Sequence, residues 1–405
     1  MTPTPFSVGL SRPPAVDRPL DGVAVVALEQ AVAAPFATRQ LADLGATVLK
    51  VERPGEGDFA RDYDSAMGGT SAFFVWSNRG KQSIELDLKD PEQRATFDQL
   101  VVGADVFIQN LSPAAAQRAG ILADQLRAKH PHLIACDISG YGLGGPRTDD
   151  KAYDLAVQAE AGAVALTGTV DQACKVGFSV ADVSAAMYAF SSILAALYRK
   201  QATGEGATIE VSMLESLAEW TSAPTFAAVG TGVIPPRAGH RHTMIAPYGL
   251  YQMSNGTHIM IGCQSNRDWV SFATHVLGDQ SLCEDPRFFD NVDRIANIDD
   301  LELLINSVFA TLSPEELLER LERGRVTHSS VRDPHSLWQH EQLRARDRFM
   351  TVTTPTGTAE VYRPPFNISG IGDPDASVPE LGAHDPAFVQ HLLTRAKTRT
   401  HEGAK

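Results

Sequence analysis

Asp182 has the surroundings in this chain that most favour chemistry. It follows Gly177-Phe178-Ser179-Val180-Ala181 and heads the run Ala185-Ala186-Met187, Ala189-Phe190, Ile193-Leu194, Ala196-Leu197. The i, i+3, i+4 spacing predicts a helix with one buried apolar stripe. A carboxylate in a first helical turn is ordinarily a cap. Oriented and partly desolvated, the same group is a nucleophile, and the helix start is expected to keep it ionised through the dipole and free N–H groups. A second set is basic or amide: Arg53 after Val51, Lys81 before Ser83, Asn110 after Ile108, Arg118 a little further on, and Lys151. Singly, each reads as solvated surface. Five at the strand ends of one sheet suit the charge-assisted contacts that a phosphate-bearing ligand requires. His240 and His242 flank Arg241, but a metal needs a convergent ligand set, and no metal cofactor is expected.

Other chemistries fail on spacing. The loop Gly140-Tyr141-Gly142-Leu143-Gly144-Gly145 matches neither the dinucleotide fingerprint nor the P-loop and reads as a turn beside a strand end. No GxSxG elbow and no zinc-type His pair occur. The net charge of −14 opposes nucleic-acid binding, which needs a basic face. Cys136, Cys174, Cys263 and Cys283 form no CxxC pair, so a reducing cytoplasmic setting is expected. The start has no basic, then apolar, secretory pattern. No stretch approaches the ~20 apolar residues of a membrane span, so no membrane partner is expected.

The elements that would position these residues alternate strand and helix. Val23–Leu28, Thr47–Val51, Ser83–Leu88, Val106–Ile108 and Leu133–Ile138 read as strands. Between them lie helices over Ala37–Leu44, from Pro91 after the N-cap Asp90, and from Pro113. That is an α/β chain with a mostly parallel sheet covered on both faces. At 405 residues, two lobes are expected. Residues 1–20 read as an extended arm, 21–225 as the large domain, and 226–245 as a linker rich in Pro, Arg and His. Residues 246–334 read as a small α+β domain, with a hairpin around Ser254-Asn255-Gly256 and a capping box at Ser313–Glu316. Residues 335–405 read as a return segment completing the first lobe.

The run Leu41-Ala42-Asp43-Leu44-Gly45-Ala46-Thr47-Val48-Leu49-Lys50-Val51-Glu52-Arg53-Pro54-Gly55-Glu56-Gly57-Asp58 resembles the opening of class III coenzyme A transferases. That family includes formyl-CoA transferase and has alpha-methylacyl-CoA racemase as a relative. Ser83–Lys89, Ala104–Asn110 and Ala246–Gly249 agree with it, in order. The resemblance implies a Rossmann-like large domain and a small domain, in two chains interlocked like links as a homodimer. It places Asp182 on the catalytic aspartate, and Arg53, Lys81, Asn110, Leu111, Arg118, Lys151 and Tyr153 on CoA-contacting positions. Ala31, Val32 and Ala33 fall where backbone lines the coenzyme. Coenzyme A thioesters enter as substrates.

Tyr153 stands where the racemase has a catalytic histidine, which favours transfer over racemisation. Ala33–Leu41, Gln158–Gly162 and Thr167–Thr169 look closest to transferases of C4–C5 dicarboxylates: succinyl-, itaconyl-, mesaconyl- or citramalyl-CoA. Arg39, or Arg237, His240, Arg241 and His242, would supply the cation for a distal carboxylate. The 238–246 stretch has only Gly239 in place of the family's glycine-run lid, so formate and oxalate specificity is not carried over. The resemblance implies an aspartyl-acyl anhydride followed by an aspartyl-CoA thioester, with oxyanions met by N–H groups near Gly142–Gly145 or Ala33. The alternatives are an acyl-CoA racemase or isomerase, an intramolecular CoA transferase, and a non-catalytic CoA-binding protein.

Overall fold

A computed structural model describes residues 18–402; most of the expected N-terminal arm lies outside them. Six strands, β1 (Ala24–Leu28), β2 (Thr47–Glu52), β3 (Lys81–Glu85), β4 (Val106–Gln109), β5 (Ile134–Ser139) and β6 (Ala207–Ser212), form one sheet. Their order is β3-β2-β1-β4-β5-β6, and every pairing is parallel. Strand order reverses between β1 and β4, which makes the gap beyond their carboxyl ends the natural ligand crevice.

Alternation along the strands divides the sheet into two unlike faces. On one, Val26, Leu49, Val51, Ile84 and Phe107 meet Phe97 and Leu100 of the Pro91–Gly103 helix and Leu392 of the last helix, Pro386–Glu402. That last helix escaped the sequence reading. Asp105 ties it down through Arg395 (2.6 Å) and Arg399 (3.0 Å). These cations outweigh burial, which acts in the opposite sense, and hold the Asp105 carboxyl at about 2.

On the opposite face, Lys50, Glu52, Lys81 and Ser83 put charge where a sheet usually carries valine. Lys50 Nζ donates to Asp58 Oδ2 (2.8 Å) and to the Glu29 carbonyl (3.2 Å). Lys81 Nζ donates to Glu29 Oε1 (2.6 Å), the Pro35 carbonyl (2.9 Å) and Asn78 Oδ1 (3.0 Å). Thr38 Oγ1 adds a hydrogen bond to Glu29 Oε2 (2.7 Å), and Arg61 and Ser83 bind Glu52. Burial alone would raise the Glu29 carboxyl, but Lys81 and Lys50 pull it below the ordinary range. Burial lowers the Lys81 ammonium to about 7 against the pull of Glu29. The Ala33–Asp43 helix lies over this network, and the Val180–Thr203 helix packs on it in turn.

Several expectations change here. β3 begins at Lys81, in register with Val48 and, through it, Val25. Lys81 therefore sits at the amino end of its strand and not on the ligand-facing rim. The first helix starts at Ala33 and not at Ala37, because Pro35 is tolerated in a first turn. The expected 226–245 linker begins inside a helix, Ser222–Thr231, which Gly232 closes in the left-handed conformation. The Val180–Thr203 helix is long and apolar enough to cross a bilayer, contrary to expectation. Its Ala181, Ala185, Ala186, Ala189 and Ile193 are buried by protein, and a core helix has that composition.

The chain divides into two compact units. The first comprises residues up to Ala161, Phe178–Trp220 and Ala345 onward; the second comprises Gly162–Gly177 and Thr221–Arg344. In the second, β7 (Tyr248–Gln252), β8 (His258–Gly262) and β9 (Thr327–Ser330) form an antiparallel sheet. Tyr251, Ile259, Ile261, Trp269, Phe272 and Phe309 fill its core. The capping box is present: Glu316 N donates to Ser313 Oγ (3.2 Å), and Ser313 N donates to Glu316 Oε2 (3.1 Å). In the first unit, β10 (Phe349–Thr354) and β11 (Gly357–Tyr362) pair as a hairpin over Phe74 and Val75.

Removing one partner from a buried ion cluster leaves the other charges uncompensated, so Lys50→Met is expected to cost about 3–5 kcal/mol. Arg53 makes only an exposed pair with Glu56, and Arg53→Ala should cost under about 1 kcal/mol. Chemical denaturation of both variants checks the contrast; equal losses would contradict it.

Candidate active site

The crevice between β1 and β4 is shaped by loops that the buried network holds from below. Gln30 N donates to Asn110 Oδ1 (3.0 Å), and Asn110 Nδ2 donates back to the Gln30 carbonyl (2.9 Å). Asn110 is thus a clasp across the switch point. The next residue, Ala31, has φ +62°, a conformation that costs an L-residue about 1–2 kcal/mol. Asp58 holds it there: its Oδ1 accepts from Ala31 N (3.0 Å) and Ala60 N (2.9 Å), while Oδ2 accepts from Lys50. Backbone strain fixed in this way is a feature of functional loops. Val32 and Ala33 follow, buried, and open the Ala33–Asp43 helix without a side-chain cap.

Asp182 occupies the first turn of the Val180–Thr203 helix, partly buried. Burial first, and the neighbouring Asp154 second, push its carboxyl up to about 7. The expectation that the helix start keeps Asp182 ionised is therefore corrected, because Asp154 takes that place. Asp154 Oδ1 accepts from Ala181 N (2.8 Å) and Asp182 N (3.3 Å), and Gln158 Nε2 donates to Asp154 Oδ2 (2.7 Å). Upstream, Gly140 admits this segment: a Cβ there would lie 2.0 Å from the Ala152 Cβ. Burial and the charges of Asp58, Asp182 and Tyr153 raise the Tyr63 phenol. Asp58, which holds the crevice loop, and Asp182 are thus both near enough for their charges to act on Tyr63.

The other residues expected in the first unit divide into three groups. Ala31, Val32, Ala33 and Asn110 meet at the switch point, with Leu111 next to them and its N–H bonded to Gln109 Oε1 (2.6 Å). Arg53 follows β2, Arg118 lies beyond β4 and Lys151 beyond β5, all exposed on the carboxyl side. Arg118 and Lys151 have no ion pair among the described residues. Tyr153 is 73% exposed beside Asp154. Lys81 and Arg39 do not join them. All three Lys81 donors are engaged inside the protein. Arg39 is buried against Asp43 (2.6 Å) with Arg79 on the same carboxylate, so it is closed to a substrate carboxylate.

In the second unit, Arg237 donates to the Thr169 (2.7 Å) and Val170 (2.8 Å) carbonyls, and Arg241 pairs with Glu302 (3.1 Å). His242 stacks on Tyr248, and His240 meets the Tyr251 ring edge-on. The N–H groups of Gly142, Leu143 and Gly145 are bonded to Ser139, Glu210 and Thr148, which removes them as oxyanion donors. Among the described residues, no group of three His, Cys, Asp or Glu is placed to hold a metal ion. Asp154, Asp58, Glu29 and Tyr63 were missed. An Asp directly after Tyr153 at a helix start, and one closing Pro54-Gly55-Glu56-Gly57-Asp58, were the available signals.

The CoA-transferase family III model matches residues 20–385. The chain belongs to this family. As a family III member it is 34% identical over 358 residues to "Acetyl-CoA:oxalate CoA-transferase" of Acetobacter aceti, covering 88% of this chain and 90% of that protein. It is 30% identical over 400 residues to "Succinate--glutarate CoA-transferase" of Agrobacterium fabrum, covering 94% and 98%. The crystal structure of a CAIB/BAIF family protein from Brucella suis superposes with a TM-score of 0.81 at 30% identity, over 93% of this chain and all of that one. The six-stranded parallel sheet is therefore the CaiB/BaiF arrangement, and each of the two relatives named above is a CoA-transferase whose name includes a dicarboxylate.

The electrostatics carry a stability signature. Asp182 binds its proton more tightly folded, at about 7, than unfolded, near 3.9. Its favourable contribution is therefore complete below about pH 4 and is lost as pH rises to about 7. Asp182→Asn, neutral throughout, should melt above the wild type at pH 8, with the gain vanishing towards pH 4. A gain independent of pH would contradict the assignment.

Proposed function

We propose that this family III CoA-transferase moves CoA between an acyl-CoA and a C4–C5 dicarboxylate, with Asp182 as nucleophile. The observation that carries the reading is the Asp182 carboxyl itself, desolvated in the first turn of its helix and beside Asp154, whose Oδ1 accepts from Asp182 N at 3.3 Å. Desolvation and like charge raise the basicity of a carboxylate and so its nucleophilicity.

The cycle starts with a carboxylate oxygen of Asp182 attacking the thioester carbonyl carbon. The C–S bond breaks, CoA thiolate leaves, and a mixed anhydride remains. The thiolate then attacks the aspartyl carbonyl, giving an aspartyl-CoA thioester and releasing the donor acid. The acceptor carboxylate runs the same two steps in reverse. Arg53, Arg118 and Lys151 suit the phosphates of the coenzyme. The backbone of Ala31–Ala33 with Leu111 suits its uncharged arm, and Asn110 fixes that backbone. Lys81 acts from beneath by holding Glu29.

The succinate–glutarate relative supports the C4–C5 reading; the oxalate relative, at slightly higher identity, favours a shorter acid. Comparing kcat/KM for succinate, glutarate, mesaconate and itaconate with that for oxalate decides between them. The C4–C5 reading expects the longer acids to lead, and preference for oxalate would overturn it. Asp182→Ala should lose transfer and covalent adduct with every acid. Turnover retained by that variant would remove the nucleophile.

The proposed assembly is a homodimer with interlocked chains. Its support is the Ser222–Thr231 helix, which buries none of its side chains and displays Phe226 and Val229, the latter 80% exposed. Val233 and Ile234 extend the apolar surface. Apolar surface of this kind marks an interface. Sedimentation should give a dimer, and Phe226→Glu should weaken it. A monomeric wild type would contradict the assembly.

A further inference from the structure

The Val180–Thr203 helix begins without a local cap, since the Ser179 side chain accepts no hydrogen bond from its first turn. The N–H groups of Ala181 and Asp182 turn instead to Asp154, at 2.8 and 3.3 Å. Asp154 is itself held by Gln158, a fully buried residue whose Nε2 reaches both Asp154 Oδ2 (2.7 Å) and the Phe178 carbonyl (3.3 Å). The anion drawn to this helix start therefore comes from a different helix, Asp154–Glu160. Asp182 lies in the same turn and must share the space with it.

We propose that Asp154 is a positioning residue for the nucleophile: it fixes the start of the Asp182 helix while denying the Asp182 carboxylate the stabilisation that the helix start offers. The proposal rests on Asp182 being the nucleophile. Two consequences follow from one contact. The hydrogen bonds to Ala181 and Asp182 set the direction of the backbone that carries the reacting side chain. The charge on Asp154 opposes the charge on Asp182 in the resting enzyme. When Asp182 attacks the thioester, its charge passes to the acyl oxygen and then leaves with the thiolate, so the repulsion is relieved along the reaction coordinate. A ground-state interaction that weakens towards the transition state accelerates the step.

The neighbouring groups leave this role to Asp154. Asp154 is the charged residue acting on Asp182, and Tyr63 and Tyr153 are the ionisable phenols nearby. On the Ala33–Asp43 helix, Arg39 and Asp43 pair with each other. Glu210 of β6 is bonded to Leu143 N, and Asp137 of β5 to Gln109 and Ala123. Glu215 and Glu219 on the adjoining Met213–Trp220 helix add no positive charge.

The test separates the cap from the charge. Asp154→Asn keeps an acceptor for the two N–H groups and removes the charge; Asp154→Ala removes both. The readout is the pH dependence of single-turnover adduct formation at Asp182, with succinyl-CoA as donor and the adduct located by peptide mass. Asp154→Asn, whose Nδ2 faces the Gln158 donor, should melt somewhat below the wild type, move the pH midpoint down by about one unit, and lower the plateau rate several-fold. Asp154→Ala should lower the melting temperature further. Asp154→Ser caps without charge and carries the same expectation should the Asn variant not fold. A wild-type midpoint in the Asn or Ser variant, with the adduct still at Asp182, would overturn the role of Asp154. Absence of any Asp182 adduct in the wild type would overturn the nucleophile instead.

Discussion

The buried Lys50 ammonium, between Asp58 and Glu29, is the interaction on which the ligand-facing side of this molecule depends. It holds Asp58 Oδ2 from below while Oδ1 accepts from Ala31 N and Ala60 N, and Ala31 keeps its left-handed conformation between these bonds. Such clusters are weak evidence for stability as such, because desolvation offsets much of the attraction. Their value here is geometric. Directional hydrogen bonds with Lys50, Asp58 and Asn110 each fix a backbone atom of the Glu29–Val32 loop.

A second arrangement of the same kind surrounds Asp182. Asp154 and Asp182 approach one helix start from two elements, and one receives its N–H groups. Capping, which the sequence left together with the proposed nucleophilic role on Asp182, falls to Asp154 instead. In the proposed cycle Asp182 would gain aim from this arrangement without losing basicity.

Much of the framework was legible in the chain. The alternation of strand and helix gave the parallel sheet, Ser313–Glu316 capped its helix as read, and Asn110 fell at the crevice. The errors share a cause. Lys81 and Arg39 were read as ligand contacts because their types suit anions, but a one-dimensional pattern does not say which charges find partners inside. Both are neutralised by carboxylates: Glu29 is 52 residues from Lys81, while Asp43 lies one helical turn beyond Arg39. Asp154 was passed over because an Asp at a helix start reads as serving its own helix, and nothing local says that it caps another. The C-terminal helix was missed because its apolar stripe, Leu392 and its neighbours, is sparse among polar residues.

The central claim is that an oxygen of Asp182 enters the reaction, and isotope transfer tests it most directly. When the acceptor acid carries 18O in its carboxylate, anhydride formation and collapse leave one heavy oxygen on the nucleophile. After turnover with labelled succinate and an acyl-CoA donor, proteolysis and mass spectrometry should find 18O in the peptide containing Asp182, on that side chain. Full turnover with no label at Asp182, or with label on another carboxylate, would contradict the account.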